Sequence, residues 1–208
     1  MAIELIRQVV ADSDDCTRRL TADYFTLTAT YIVAGWAAAA NKQWGTGMRF
    51  TNITIPQGST IIEAHLTLQA QVGDSGTVVK TRISAEDIDD APTFVNNAAI
   101  FDARWAARTM ARVDWDAIPG WTADVEYDSP DIKTVIKEIV DRPGWDSGQD
   151  IVIFWEDFED RSGTSGLAFR RADSHEESAL TAPKLVITYT ELAKGMPGLN
   201  PALMEVLH

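Results

Sequence analysis

A two-sheet antiparallel β-sandwich with one prominent amphipathic helix and a C-terminal tail is the fold this 208-residue sequence predicts, and three stretches predict it. From Ile62 to Ala70 every second side chain is apolar. Ile62, Ala64, Leu66, Leu68 and Ala70 share a face only in an extended strand, with Glu63, His65, Thr67 and Gln69 on a face turned to water or a polar partner. Ile151-Val152-Ile153-Phe154-Trp155 is apolar without interruption, the signature of a central strand covered on both sides. Ile132, Val135, Ile136, Ile139 and Val140 fall at the spacing of a helix packed along one face.

The other elements are read in chain order. Ile3 to Val10 alternates loosely and runs into the acidic turn Asp12-Ser13-Asp14-Asp15. Tyr24 to Ala29 reads as a strand. Ala34 to Asn41 is alanine-rich, short and set between β elements, and reads as a loop. Gly45 to Ile55 is a strand whose parity slips between Phe50 and Ile53, which implies a bulge, and Pro56-Gln57-Gly58-Ser59 turns the chain into the alternating strand. After the turn at Gly73-Asp74-Ser75-Gly76, Val79, Thr81, Ile83 and Ala85 line one side of a second half-buried strand, expected to form a hairpin with the first. Asp87 to Tyr127 should be a long loop with a short helix at 98–108 and a strand near Arg112 to Trp115.

The prominent helix should run from Ser129 to Asp141, with Ser129 as N-cap, Pro130 in the first turn, Asp131 at the positive end of the dipole and Arg142-Pro143-Gly144 as its stop. Leu167 to Ala172 and Leu185 to Thr190 bring the total to about eight or nine strands, the content of a jelly roll or related sandwich. The sandwich should occupy residues 1–190, leaving 191–208 as a linker and docking tail. Lys194-Gly195-Met196-Pro197-Gly198 is a flexible linker, and Asn200-Pro201 can open a short helix carrying Leu203, Met204 and Leu207. Three large apolar side chains on a tail need a partner surface, in the same chain or a neighbour's, so they are the candidate anchor.

With 18 Lys plus Arg against 31 Asp plus Glu, the chain carries a formal charge of −13 and should repel nucleic acid and anionic membranes. No apolar stretch of about 18 residues is present to span a bilayer, and the first residues do not read as a secretory signal. Cys16 is the lone cysteine, which fits folding in a reducing cytoplasm.

Several phrases carry a likeness: Phe50-Thr51-Asn52-Ile53-Thr54-Ile55-Pro56-Gln57-Gly58-Ser59-Thr60-Ile61, Val113-Asp114-Trp115, Ser129-Pro130-Asp131-Ile132, Arg142-Pro143-Gly144-Trp145 and Ala182-Pro183-Lys184-Leu185-Val186-Ile187-Thr188-Tyr189. Over roughly residues 45–190 the chain resembles jelly-roll modules similar to carbohydrate-binding modules, found in bacterial exterior proteins and phage structural proteins. The resemblance implies fold more than activity, because its motifs are strand turns and a helix start.

An exterior-type module without an export signal suits a virion protein, made in the host cytoplasm and released on lysis. The expected role is therefore a non-enzymatic phage accessory protein, a head decoration, collar or tail component anchored through its tail. Its partners would be other virion proteins or copies of itself, for which a trimer would suit. The alternative is a module that binds a glycan on loop tryptophans, with Trp36, Trp44 and Trp121 as stacking candidates. Trp115 and Trp155 lie on predicted strands and read as core. Three acidic clusters, Asp12, Asp14 and Asp15, then Asp87, Asp89 and Asp90, then Glu156, Asp157, Glu159 and Asp160, have closely spaced oxygen ligands that suit a structural calcium ion, the first two being the candidate site, with a solvated acidic surface as the competing explanation. Catalytic signatures are missing, and a glycosidase pair such as Glu86 with Asp157 can be drawn only because carboxylates are plentiful.

Overall fold

The computed structural model describes residues 1–20, 24–37, 42–74, 78–116, 118–162 and 167–192. In chain order the strands are β1 (Ile3–Gln8), β2 (Asp15–Arg19), β3 (Tyr24–Thr26), β4 (Tyr31–Ala37), β5 (Lys42–Ile53), β6 (Thr60–Gln69), β7 (Thr81–Ala85), β8 (Val113–Trp115), β9 (Glu126–Asp128), β10 (Gln149–Glu156), β11 (Leu167–Asp173) and β12 (Lys184–Thr190). Helix α1 (Ala98–Ala106) lies between β7 and β8, and α2 (Lys133–Val140) between β9 and β10. One antiparallel sheet has the order β1-β12-β6-β9. The other runs β11-β4-β5-β10-β7-β8, with β2 paired to both β3 and β5. This is a mainly β, two-sheet antiparallel sandwich, an arrangement compatible with a jelly roll.

Strand β10 shows why a continuous apolar run belongs in the middle. It is hydrogen-bonded to β5 on one side and β7 on the other. Ile151, Ile153 and Trp155 face the core between the sheets, while Val152 and Phe154 face a second apolar cluster with Phe94, Phe101 and Phe158. Because α1 and the loop before it cover the outer face, both sets of alternating side chains leave water. The parity slip in β5 is real: the register against β10 shifts between Phe50 and Ile53, both fully buried, and Asn52 takes φ 57°. The turn before β6 is closed by the Ser59 N–H donating to the Pro56 carbonyl at 3.1 Å, with Gly58 at φ 73°.

Four expectations are corrected by pairing between distant segments. The alternation in β6 holds for Ala64, Leu66, Leu68 and Ala70, which are fully buried, but Ile62 is exposed and Ile61 points inward. The cause lies in β12, where consecutive residues Thr188 and Tyr189 pair with Glu63 and Ile61, so Ile62 is an extra residue that shifts parity. Strand β7 does not form a hairpin with β6. It pairs with β10 and β8, in the opposite sheet, although Val79, Thr81, Ile83 and Ala85 do share the buried side.

The segment from Ala34 is a strand and not the loop that its composition predicts. β4 pairs through Gly35, Trp36 and Ala37 with β5 and along its length with β11. A Cβ at Gly35 would strike the Ala168 carbonyl, so the pairing requires glycine there, and two bonded neighbours outweigh alanine's helical preference. Residues 38–41 lie outside the described residues.

Helix α2 starts at Lys133, later than the capping pattern suggests. The Ser129 hydroxyl accepts from the Leu66 N–H at 3.0 Å, and Asp131 Oδ1 accepts from Ala64 at 3.1 Å and from Lys133 at 2.9 Å. As an acceptor Ser129 thus serves β6 alone and Asp131 serves both β6 and the first residue of α2, so the helix begins only after them. The apolar stripe is as expected: Ile132, Val135, Ile136, Ile139 and Val140 are all buried, and α2 packs on β6. The tail residues Leu203, Met204 and Leu207 fall outside the described residues, as do the turn residues Ser75 and Gly76.

Candidate functional site

Helix α1 organises the face outside the second apolar cluster. Asn97 caps it by accepting from the Ile100 N–H at 3.2 Å. Phe101 points inward, with ring centroids 5.5 Å from Phe154 and 5.6 Å from Phe25. Two arginines fasten the helix. Arg18 on β2 grips Asp102 with both ends of its fork, at 2.9 and 2.7 Å. Arg104 is bidentate to buried Glu86, with Nη2 to Oε2 at 2.6 Å, and lies 4.4 Å over the Phe94 ring. Where α1 begins, Phe25, Asn96, Asn97, Ala98, Ala99 and Asp102 line a cleft of about 400 Å³. An aromatic ring edged by two amides and a carboxylate can offer a stacking surface with hydrogen-bonding groups around it.

The tryptophans expected to stack on sugar are placed otherwise. Trp36 is on strand β4 and only 4% exposed; Trp121 is 3% exposed. Trp121 belongs to an aromatic core with Tyr127 (centroids 5.0 Å), Trp155 (5.9 Å) and Trp115 (6.2 Å). Neither presents a free indole face: Trp36 is buried on a strand paired on both sides, and Trp121 fills space among the core aromatics. Trp44 is half-buried on β5, against Tyr24 and under the Arg19 guanidinium, which lies 5.3 Å from its ring. Trp115 and Trp155 are core, as their strands implied.

Arginine supplies the positive charge that the acidic loops face. Arg49 donates to Asp14 at 2.8 Å and pairs with Asp150, whose own N–H donates to Asp90 at 3.0 Å. Arg49 also donates to the Ala91 carbonyl at 2.8 Å, so one guanidinium ties Asp14 to the chain just after the second acidic loop. Arg142 holds Asp89 at 2.6 Å and also pairs with Asp87. Asp12 contacts His175 Nδ1 at 2.6 Å, while Asp15 accepts the His175 backbone N–H at 2.8 Å. Among the described residues no three acidic, histidine or cysteine side chains gather to hold a metal ion. The pair drawn from sequence, Glu86 and Asp157, is likewise engaged: Glu86 by Arg104, and Asp157 by the N–H groups of Arg161 and Ser162 at 2.6 and 3.0 Å. Cys16 is a packed thiol, 2% exposed, with Sγ 3.7 Å from the Gly47 carbonyl.

Two buried carboxyls give the domain a pH signature. Burial pushes Asp15 up to about 8, reinforced by Glu176 and Asp12 and opposed by the His175 N–H. Burial likewise raises Glu156 to about 7, against the Phe158 N–H and the Arg108 guanidinium. A carboxyl whose pKa rises on folding binds its proton more tightly in the folded state. Its contribution is therefore fully present below the unfolded value, 3.8 for Asp15 and 4.5 for Glu156, and is lost as pH rises through about 8 and about 7. We expect the melting temperature to fall between mildly acidic and mildly alkaline buffer, and Asp15→Asn to flatten that slope; a profile unchanged by the substitution would refute the assignment.

No protein-family model matches the chain, and a search of curated proteins finds no match. The functional reading therefore rests on residues and geometry. What sequence reasoning missed is the cleft beside α1. Asn96 and Asn97 looked like ordinary loop residues, and only the packing of Phe25 from a different strand turns them into a lining.

Proposed function

We propose that this chain is a non-enzymatic accessory protein of a phage particle, its sandwich forming the exterior part and its C-terminal segment the anchor. The observation that carries the reading is the way the chain leaves the domain. β12 ends at Thr190 on a completed four-stranded sheet, and the sequence beyond it holds a Gly-Pro linker and then Leu203, Met204 and Leu207. The likeness of residues 45–190 to jelly-roll modules of phage structural proteins supports the same reading. So does the engagement of Glu86, Asp14 and Asp157 in ion pairs and backbone caps. Self-association, a trimer in the simplest case, suits an external accessory protein and is readable by sedimentation.

Deleting residues 191–208 should leave a folded domain that no longer co-sediments with the phage particle. A truncated chain that still joins particles would end the anchor reading. Glycan binding is a second reading, favoured by the cleft lined by Phe25, Asn96, Asn97 and Asp102 in place of the buried tryptophans. It expects Phe25→Ala to abolish retention on a glycan array while tail deletion leaves it intact.

A further inference from the structure

Beside the chain's exit from the sandwich runs a second cleft of about 400 Å³, lined by Ile61 on β6 and by Lys133, Thr134, Lys137, Glu138 and Asp141. The four α2 positions and the C-cap Asp141 are spaced i, i+1, i+4, i+5 and i+8, which is the stripe opposite the buried Val135, Ile136, Ile139 and Val140. Lysine and glutamate stems make such a surface apolar along its floor and charged at its rim.

The exit lies at one end of this cleft. Thr190 pairs with Thr60 and Tyr189 with Ile61, so the last described residues run alongside the start of β6. The next large side chain, Leu192, is 61% exposed, yet its Cδ1 sits 3.1 Å from where a Cβ on Gly58 would stand. The Gly58 N–H in turn donates to the Val140 carbonyl at 3.2 Å, at the C-terminal end of α2. Leu192 therefore rests on the turn that meets α2 one residue before Asp141.

We propose that this cleft holds the chain's own tail, with Leu203, Met204 and Leu207 laid along α2 and β6 of the same molecule. The inference rests on the reading of those residues as a docking segment, and it names the surface they occupy before assembly. Reach is ample, since the 11 residues from Leu192 to Leu203 extend up to roughly 36–40 Å, against about 12 Å for the length of α2. A covalent tether of that length holds its end at an effective concentration on the order of millimolar, so the chain's own tail outcompetes a neighbour's in dilute solution. The spacing of Leu203, Met204 and Leu207 is that of one face of a helix, the form that lies in a groove. After Lys194, Glu205 is the one Asp, Glu, Lys or Arg in the sequence, so the segment brings little charge to desolvate onto a floor whose rim lysines, Lys133 and Lys137, are already paired with Asp131 and Asp141.

The test uses the full chain. Ile62→Cys, an exposed position beside the cleft residue Ile61, carries a nitroxide at the edge of the cleft, Cys16 being buried, and NMR signals of residues 199–208 are compared between the oxidised and reduced label. Selective loss of the Leu203, Met204 and Leu207 signals, independent of protein concentration and reversed by Leu207→Asp, is the expected result. Signals that stay sharp overturn the proposal, and loss that appears only on concentrating the sample assigns the cleft to a neighbour's tail and overturns it equally. Particle incorporation is scored separately: a chain that shows the expected loss, yet joins particles without residues 191–208, defeats the anchor reading and leaves this one standing.

Discussion

Replacing Arg104 with alanine should destabilise the domain by about 3–5 kcal/mol, the cost of stranding a buried carboxylate. The side chains of Arg104 and Glu86 are only 9% and 7% exposed, and the guanidinium grips both carboxylate oxygens. It also donates to the Pro92 carbonyl at 2.8 Å and covers the Phe94 ring, so one side chain ties α1 to the loop after β7. Removing it leaves Glu86 without its counter-ion in a site too dry to solvate it. The double replacement Arg104→Met with Glu86→Leu should recover most of the loss, because an apolar pair of similar bulk has no charge to desolvate. Chemical denaturation of the three proteins measures this. An Arg104→Ala variant within about 1 kcal/mol of the parent would show the pair to be worth no more than a surface bridge.

Ile136→Asp should cost about 3 kcal/mol or more. Ile136 has no exposed surface and sits in the stripe by which α2 closes against β6. A carboxylate there loses its water and gains no cation, while Ile and Asp differ little in helix propensity, so the cost is one of burial. Ile136→Val, which keeps the apolar contact and gives up one methylene, should lose only about 1 kcal/mol. An Asp variant that melts with the parent protein would mean that α2 is not closing the core.

The parts of the structure legible in the sequence are those whose cause is local. A run such as Ile151 to Trp155 needs cover on both faces wherever it lies, and β10 has it. The slip in β5 showed in its own parity, and the turn at Pro56 to Ser59 in its own residues. The misses share the opposite property. Ile62 alternates correctly with Ala64, but its exposure is set at Thr188 and Tyr189, far along the chain. Ser129 and Asp131 have the chemistry of helix caps, but Ser129 supplies it to the Leu66 N–H of β6 and Asp131 divides it between Ala64 and Lys133.

The tryptophans, and with them the candidate site, show the same division. Being on a loop by pattern says nothing of exposure, and Trp121 proves to be stacked between Tyr127 and Trp155. The cleft at α1 needs Phe25 and Asn96 together, and the charge of the acidic loops is answered by Arg49 and Arg142, which no spacing rule ties to them.

By itself, then, the sequence determined the class of fold, the strands with a regular apolar period and the buried stripe of α2, because each residue's need for water or cover is its own property. Only the tertiary structure decided which strands share a sheet, which aromatics are sealed and which arginine meets which carboxylate. Those depend on partners brought together from distant positions, and the alternation that specifies a strand does not specify its neighbour.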